Sequence, residues 1–376
     1  MKLLVYSHVF HPSTGGVETV SRTLAEGLAQ RGIDFKLVTS TPPGDDRTQF
    51  PFELIRAPGP AQLRTLIDWA DVVLFNGASL ALQPALIFSR KPFVWVHVGY
   101  QVSCIDGLGW VDGEPSPMTP WASLRFHMRR SGPLRGVVGG LKLLLRRIVA
   151  RRFVTRHIAI TQWMNQAQPL PRQVQIYNPF PLDRFRGATP VGEAPYDFVY
   201  LGRMVSEKGV DTLIQAFAQV VGRATVRPRL LLIGDGDRMP QMQELARSLG
   251  VEGDVRFAGR QSGQALVDWV GQGAVGIVPS VWQEPMGGVA IELMAAGRGL
   301  IVSERGGLAE CAGDAGLLFP NGDAQALADC MLRVLNEPQL RHTLGQRALQ
   351  RAELFMPDRF IDQYVELLRA TAARSA

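Results

Sequence analysis

The sequence predicts two α/β domains, each built on a parallel sheet, and three observations carry this prediction. The chain has 376 residues, which is too long for one ordinary domain and suits two domains that each bury a core. Short apolar runs alternate with helical patterns in both halves, an order typical of parallel sheets. Between the halves, residues 178–195 are rich in Pro and Gly, as interdomain linkers often are.

The first half opens with a strand–helix–strand pattern. Residues 2–10 predict a strand, Gly15 and Gly16 a turn, and the apolar period that follows predicts a helix ending at Gly32; the second strand begins with FKLVTS (35–40). Gly16 could offer its amide at the helix start to a phosphate or to an acceptor, and the alternative is an ordinary turn. Further strands are predicted at 52–56, 71–75, 92–100, 157–161 and 174–178.

The second half repeats the alternation, starting with a strand over 196–203 and a helix over 209–221. The remaining strand–helix pairs are predicted at 229–234 with 238–249, 254–258 with 261–272, 274–278 with 287–296, 299–303 onward, and 316–319 with 324–336. A final helix covers residues 357–375. We therefore expect domains at 1–182 and 183–355, with residues 356–376 returning to the first domain.

The most informative stretch is 277–297, IVPSVWQEPMGGVAIELMAAG. It predicts a buried strand, a loop, and a helix that begins at Gly287 and Gly288, where free backbone N–H groups favour a phosphate. Glu284 lies just before these amides and Glu292 lies within the helix. Two hydroxyl-binding carboxylates with an anion site between them suit a sugar joined through a diphosphate to a nucleoside. The alternative is a surface helix with two solvated glutamates.

The Glu-x7-Glu spacing in this stretch resembles the signature of family 4 (group 1) glycosyltransferases. Three other segments resemble the same family in the same order: HPSTGGVE (11–18), LGRMVSEKG (201–209) and GGLAE (306–310). The family's members are retaining enzymes of the GT-B fold, in which two Rossmann-like domains face a central cleft. The resemblance implies transfer of a hexose-type sugar from a nucleoside-diphosphate donor (UDP- or GDP-sugar) to an acceptor hydroxyl.

The resemblance also implies roles for individual residues. Glu284 would orient the donor sugar and Glu292 the ribose, while Arg203 and Lys208 would neutralise the departing phosphate. His97, at the end of the strand PFVWVHVGY, would contact the donor sugar, although a lone histidine is more often a structural residue. The full donor set is Gly16, Arg203, Lys208, Arg260, Glu284, Met286, Gly287, Gly288, Val289 and Glu292, and the catalytic set is His97, Glu284, Arg203 and Lys208.

Neither a metal nor another cofactor is expected, because Arg203 and Lys208 can supply the positive charge. Asp235-Gly-Asp237 has the form of a metal-binding D-x-D, but Asp and Gly are ordinary residues of a turn after a strand. A GxGxxG pattern, formed by Gly271, Gly273 and Gly276, precedes a strand instead of following one, so the dinucleotide context is missing. No residue is an obvious covalent nucleophile, so the leaving phosphate itself could take the acceptor's proton.

The positive charge of the chain is concentrated in one segment. The formal net charge is +6, yet residues 115–182 hold eleven Lys or Arg and no acid, leaving −5 for the rest. Ten of these cations lie within 125–156, interleaved with leucines. The helical face formed by Leu141, Leu144, Leu145 and Ile148 has Lys142, Arg146, Arg147 and Arg151 mostly opposite and Arg152 intruding. The segment could bind an anionic membrane surface, or its leucines could pack on the core. No reader motif for nucleic acid accompanies the charge.

Composition limits the remaining choices. Three cysteines without a C-x-x-C pattern argue against a disulfide framework or a zinc site. No apolar run reaches the ~20 residues of a membrane span, and the N-terminal run lacks a signal-peptide cleavage site. We expect a cytoplasmic protein, soluble or peripheral on the inner face of the membrane. Acceptor glycans, lipid-linked sugars and small molecules stay open, as do a nucleotide-sugar epimerase and a non-catalytic nucleotide-sugar-binding or scaffold protein.

Overall fold

The computed structural model describes residues 1–13, 15–44, 48–77, 83–188, 192 and 194–373. The chain divides into two compact units: residues 1–181 with 356–376 form the first unit, and residues 182–355 form the second. Each unit is built on one parallel sheet with helices around it, so the predicted fold class is confirmed.

The first unit contains a seven-stranded sheet in the order β3-β2-β1-β4-β5-β8-β9, with every pairing parallel. Every residue of β4 and β5 is buried, which explains their continuous apolar sequence. A two-residue antiparallel pair, β6 with β7, lies outside the sheet. The strands are β1 (Lys2–Ser7), β2 (Asp34–Thr39), β3 (Glu53–Arg56), β4 (Val72–Asn76), β5 (Phe93–His97), β6 (Trp110–Val111), β7 (Glu114–Pro115), β8 (Arg156–Ala159) and β9 (Gln173–Gln175).

The described part of the first 181 residues also contains six helices: α1 (Gly16–Gln30), α2 (Pro60–Trp69), α3 (Gln83–Ser89), α4 (Pro120–Ser131), α5 (Pro133–Arg152) and α6 (Gln162–Ala167). α4 and α5 pack against each other as a helical hairpin, with Gly132 between them at a φ of 89°. A side chain at Gly136 would collide with the backbone of Met128, so glycine allows the two helices to approach closely.

The second unit contains a six-stranded parallel sheet in the order β12-β11-β10-β13-β14-β15. Its strands are β10 (Tyr196–Leu201), β11 (Leu230–Ile233), β12 (Val255–Gly259), β13 (Gly273–Val278), β14 (Gly299–Ser303) and β15 (Gly316–Phe319). Its helices are α7 (Val210–Arg223), α8 (Met239–Ser248), α9 (Gly263–Gly271), α10 (Gly288–Ala295), α11 (Gly307–Ala312), α12 (Ala324–Asn336) and α13 (Pro338–Ala352). Short 3-10 turns cover Asp183–Gly187, Ser206–Lys208, Gly313–Ala315 and Glu353–Phe355.

The last helix, α14 (Pro357–Ala373), packs on the first unit, as the sequence predicts. It contacts α1, where Gly27 leaves room for Ile361. Arg31 forms ion pairs with Asp358 at 3.0 Å and with Asp362 at 2.6 Å. These contacts bring the end of the chain back to its beginning. Among the described residues, no helix is long and apolar enough to cross a membrane.

Candidate active site

The candidate site of the second unit lies where the order of its sheet reverses. β10 and β13 are neighbours, and the sheet continues outward from them with β11 and β12 on one side and with β14 and β15 on the other. In open parallel sheets this point leaves a crevice at the carboxyl ends of the strands, and ligands bind there. The loop after β10 carries Arg203 and Lys208, and the loop after β13 carries Glu284. The topology therefore brings these three predicted residues to one edge.

Close backbone contact holds the two loops together. The Val281 N–H donates to the Glu207 carbonyl at 3.1 Å. Gly209 has a φ of 65°, and a Cβ there would lie 2.1 Å from the Pro279 carbonyl oxygen. Only glycine fits this approach. On the other side, the Glu284 carbonyl accepts a 2.7 Å hydrogen bond from the Gly307 N–H, which joins the loop to the start of α11.

Glu284 and Lys208 form an ion pair that the sequence did not predict. The Lys208 Nζ lies 2.7 Å from the Glu284 Oε1, and Ser280 Oγ donates to the same oxygen. The side chains of Glu284 and Lys208 are 8% and 19% exposed. Lys208 Nζ also lies 5.7 Å from the centre of the Trp282 ring. The carboxylate assigned to the sugar and the cation assigned to the phosphate are thus adjacent and mostly shielded from water.

The N-terminus of α10 follows directly after this pair. Gly287 is its N-cap and provides no side-chain cap, and helix geometry leaves the N–H groups of the first turn without partners in the helix, where an anion can bind. Gly287 packs against α11, because a Cβ there would lie 2.7 Å from Leu308 Cδ1. Met286 is buried, whereas Gly288 and Val289 are half-buried. The structure thus places Met286, Gly287, Gly288 and Val289 beside Glu284, in one continuous turn.

Glu292, on α10, pairs with Arg184 at 2.7 Å. The Glu292 side chain is 12% exposed, and its burial raises the pKa of the carboxyl group, although Arg184 works in the opposite direction. The guanidinium of Arg184 stacks over the Phe185 ring at 4.7 Å. Sequence reasoning missed Arg184, because an arginine in the predicted linker carries no signal of its own. The pair holds the predicted ribose-binding carboxylate in place.

The other two predicted cations of this unit are exposed. The Arg203 side chain is 68% exposed and lies 3.6 Å from Glu207. Arg260 follows β12, two strands away from β10 in the sheet. Lys208 is thus shielded and fixed by Glu284, whereas Arg203 sits at the surface.

His97, at the end of β5 in the first unit, is fully buried and hydrogen-bonded through both ring nitrogens. Gln168 Oε1 accepts from the Val102 N–H and from Ser103 Oγ, so the Gln168 amide nitrogen donates to His97 Nδ1 at 3.2 Å. His97 Nε2 therefore donates to His157 Nδ1 at 2.8 Å, and His157 Nε2 donates to the Ala150 carbonyl at 2.8 Å. The ring of Trp95 stacks on His97 at 4.7 Å.

Burial lowers the pKa of both histidines, that of His157 to about 4 and that of His97 well below its usual value. Both rings are therefore neutral near pH 7 and form a saturated chain from Gln168 to helix α5. A contact between His97 and a donor sugar would require one of these hydrogen bonds to open, so the catalytic assignment of His97 stays a prediction.

Gly16 begins α1, beside the point where the order of the first sheet reverses between β1 and β4. A Cβ at Gly16 would meet nothing within 4 Å. Glu18 lies in the first turn of α1 and accepts a 2.7 Å hydrogen bond from Ser13 Oγ. The amide end of this helix is therefore faced by a carboxylate, which competes with any anion there. Binding of donor or acceptor at Gly16 stays a prediction.

The motifs set aside by sequence reasoning occupy ordinary positions. Gly273 and Gly276 lie within β13, and a side chain at Gly273 would collide with Val199. Asp235 and Asp237 follow β11 in a turn. Within the described parts of the chain, no group of three or more His, Cys, Asp and Glu side chains could hold a metal ion. The expectation of a metal-free reaction stays a prediction.

Comparison with known proteins identifies related chains. Residues 195–337 match the family described as glycosyl transferases group 1. A D-inositol 3-phosphate glycosyltransferase of Kribbella flavida is 32% identical over 204 residues, which are 49% of this chain and 48% of the relative. The lipopolysaccharide core biosynthesis glycosyltransferase LpsE of Rhizobium meliloti is 32% identical over 194 residues, 50% of this chain and 53% of LpsE. The chain thus spans about half the length of these curated relatives.

Solved structures match over a greater length. Crystal structures of HepE from Anabaena, in complex with UDP and with UDP-glucose, have TM-scores of 0.73 and 0.71. Both are 19% identical and cover 98% of this chain and 100% of theirs. The predicted resemblance is therefore confirmed: residues 195–337 match the group 1 glycosyltransferase family, and the chain as a whole has the GT-B fold.

Proposed function

We propose that this protein is a retaining glycosyltransferase that moves a hexose-type sugar from a UDP- or GDP-sugar to an acceptor hydroxyl. The observation that carries the proposal is the shielded Lys208–Glu284 pair, which lies at the reversal point of the second sheet, directly before the uncapped start of α10. The HepE complexes with UDP and UDP-glucose support this choice of donor.

The site supplies the two kinds of group that such a donor needs. A diphosphate at the start of α10 would meet the N–H groups of Gly288 and Val289 and the positive end of the helix dipole. Lys208, which donates a hydrogen bond to Glu284, would stabilise the negative charge that develops on the departing phosphate. A sugar hydroxyl donating to Glu284 would replace Ser280 or share the carboxylate with it.

Glu292 would accept hydrogen bonds from the ribose, with Arg184 fixing its orientation. The exposed Arg203 would approach the diphosphate from the solvent side. The leaving phosphate would take the proton of the acceptor hydroxyl, which accounts for retention without a covalent intermediate on the protein. The cations of the chain itself would supply the positive charge, with no metal ion.

The acceptor belongs to glycan, polysaccharide or glycolipid synthesis in this proposal. The similarity to LpsE, named for lipopolysaccharide core biosynthesis, supports that class. The reaction would take place in the cytoplasm, at the inner face of the membrane where the acceptor is lipid-linked.

The test has two stages. Thermal unfolding is followed with UDP-, GDP-, ADP- and dTDP-sugars, because a ligand bound only by the folded state raises the unfolding temperature. We expect stabilisation by UDP- or GDP-sugars, and a loss of that stabilisation in Glu292→Ala but not in Glu353→Ala, which removes an exposed carboxylate paired with Arg186.

The stabilising donor is then incubated with the protein alone, and the products are separated. Slow release of nucleoside diphosphate and free α-sugar supports a retaining transferase, since water replaces the acceptor. Conversion of the donor into an epimeric nucleotide-sugar, or binding without any turnover, would overturn the proposal.

A further inference from the structure

Helix α5 exposes most of its large apolar side chains, which a surface helix normally buries. Only Gly136, Leu143 and Ala150 are buried, and they lie seven residues apart on one side. Large apolar side chains lie on the opposite side with fractional exposures between 43% and 77%; we name them the α5 stripe, and they are Leu134, Val137, Val138, Leu141, Leu144, Leu145 and Ile148. Their spacing of three and four residues makes one continuous row.

The interpretation in which these leucines pack on the core is therefore wrong. The arginines on the inner flank provide the polar contacts instead: Arg147 donates to the Val102 carbonyl at 2.8 Å, and Arg146 donates to the Gln101 carbonyl at 3.4 Å. His157 adds its bond to Ala150. α5 is thus fixed by its small and polar residues, and its large apolar ones face solvent.

The stripe continues onto α4. Trp121 is 69% exposed, and together with Leu124, Leu141 and Leu144 it lines a groove of about 430 Å³ between the two helices. Contiguous apolar surface of this kind is rare on monomeric proteins unless it binds something. An indole at the edge of such a surface is also typical of the interface between water and lipid.

Unpaired cations surround the stripe. Six exposed ones make no ion pair with any carboxylate in the described parts of the chain: Arg125, Arg129, Arg135, Lys142, Arg151 and Arg152. The acid-free segment 115–182 explains this, because no acidic residue of the hairpin itself lies within reach. The surface therefore combines exposed apolar side chains with a single sign of charge.

We propose that the α5 stripe docks on an anionic phospholipid membrane. Its leucines, valines and isoleucine would enter the boundary between headgroups and acyl chains, and the surrounding cations would contact the lipid phosphates. A second copy of this chain fits less well, because a two-fold contact through the stripe would bring the same cations face to face. Docking requires neither donor nor acceptor, so this inference stands apart from the proposed reaction.

Vesicle sedimentation of the full chain tests the proposal. At low salt we expect binding to vesicles of phosphatidylcholine with phosphatidylglycerol, and none to pure phosphatidylcholine. Arg135→Gln with Lys142→Gln should weaken binding about 25-fold, since each cation contributes about fivefold near an anionic surface. Leu141→Ser with Leu145→Ser should weaken it about tenfold or more, because less apolar surface is buried.

The matched controls lie in the second unit. Val226→Ser with Leu249→Ser removes two exposed apolar side chains, and Arg223→Gln with Arg247→Gln removes two exposed cations, and both pairs should bind vesicles like the unchanged protein. Thermal unfolding shows that each variant is folded; if the serine pair fails, quenching of Trp121 fluorescence by brominated lipid reports insertion instead, with Trp121→Phe as its control.

Equal binding to neutral and anionic vesicles would overturn the proposal, and so would unchanged binding in both hairpin variants. A dimer in sedimentation velocity that the serine pair dissociates, with no vesicle binding at low salt, would assign the stripe to a second copy and overturn it as well.

Discussion

Two buried polar clusters, one in each unit, follow strands of parallel sheets and differ in charge. The cluster of the first unit is a neutral chain of hydrogen bonds, in which Gln168 donates to His97, His97 to His157, and His157 to a backbone carbonyl. The cluster of the second unit is an ion pair between Lys208 and Glu284, with Ser280 on the same carboxylate oxygen. The sequence pointed to His97 in the first cluster and to Lys208 and Glu284 in the second, and each of these residues ends or follows a strand.

The difference in charge indicates a structural role for the neutral cluster and a functional role for the charged one. A neutral chain with saturated hydrogen bonds stabilises the core and offers nothing to a ligand unless it opens. A shielded ion pair is a poor stabiliser, because removing both charges from water costs about as much as their attraction returns. Such a pair at the edge of a sheet is better explained by a substrate that uses both charges. Glu284 and Lys208 are therefore stronger candidates than His97.

Removing Lys208 should have the largest effect. Lys208→Ala should lower kcat by about 10²–10³-fold, the cost of losing one preorganised group at a developing charge. Steady-state kinetics with the donor selected by thermal shift measures this. Arg223→Ala, which breaks an exposed pair with Asp329, serves as the control and should keep full activity. An intact kcat with a raised KM would show that Lys208 contributes uniform binding instead.

The neutral chain should make the free energy of unfolding depend on pH. His157 has a pKa of about 4 in the folded protein against 6.5 when unfolded. The unfolded chain therefore binds more protons between pH 6.5 and 4, and the free energy of unfolding should fall by about 3 kcal/mol as the pH falls through that window. Burial of His97 should add to the loss in the same direction.

Urea unfolding at pH 7.0 and pH 5.0 measures about 2 kcal/mol of this fall, because pH 5.0 lies inside the window. His157→Gln should reduce the pH dependence. A free energy of unfolding that stays constant over the window would contradict the neutral, buried state of the pair. Full turnover in a folded His97→Gln variant would further show that the chain is structural.

The fold was largely predictable from the sequence, because buried parallel strands are continuous apolar runs and the helices between them keep a 3.6-residue period. Glu284 and Glu292 were predicted for the same reason: their positions follow from one strand and one helix. Their partners were not predictable, since Lys208 lies 76 residues from Glu284 and Arg184 lies 108 from Glu292. Lys208 and Arg184 each lie in a 3-10 turn. Only the parallel pairing of distant strands and the packing of these turns bring the two cations to their carboxylates.

The period of α5 shows a second limit. It correctly places Leu141, Leu144, Leu145 and Ile148 on one face, but a period cannot say whether that face points to the core or to water. For α7 the apolar face is buried, and for α5 it is exposed. The absence of acidic residues from segment 115–182 was the better signal that this helix presents a binding surface to its surroundings.

Glu292 should have an intermediate effect, on binding more than on turnover. Glu292→Ala should weaken donor affinity by ~1.5–3 kcal/mol, typical of losing a hydrogen bond to a charged group. Calorimetry with the nucleoside diphosphate alone measures it. Arg184→Ala should cost less, because Arg184 acts by orienting Glu292. An unchanged affinity in Glu292→Ala would remove the ribose assignment.

Arg203 should have the smallest effect, and it sharpens the contrast between shielded and exposed charge. Its side chain is 68% exposed and its pair with Glu207 spans 3.6 Å, so Arg203→Gln should change the free energy of unfolding by less than about 1 kcal/mol. Two charges about 4 Å apart in water interact by about 1 kcal/mol, so the loss of kcat should be only about fivefold. Steady-state kinetics measures kcat, and urea unfolding of the same preparation measures the free energy of unfolding. A loss of kcat as large as that of Lys208→Ala would mean that Arg203 is shielded from water once the donor is bound, and that exposure in the free protein does not rank these two cations.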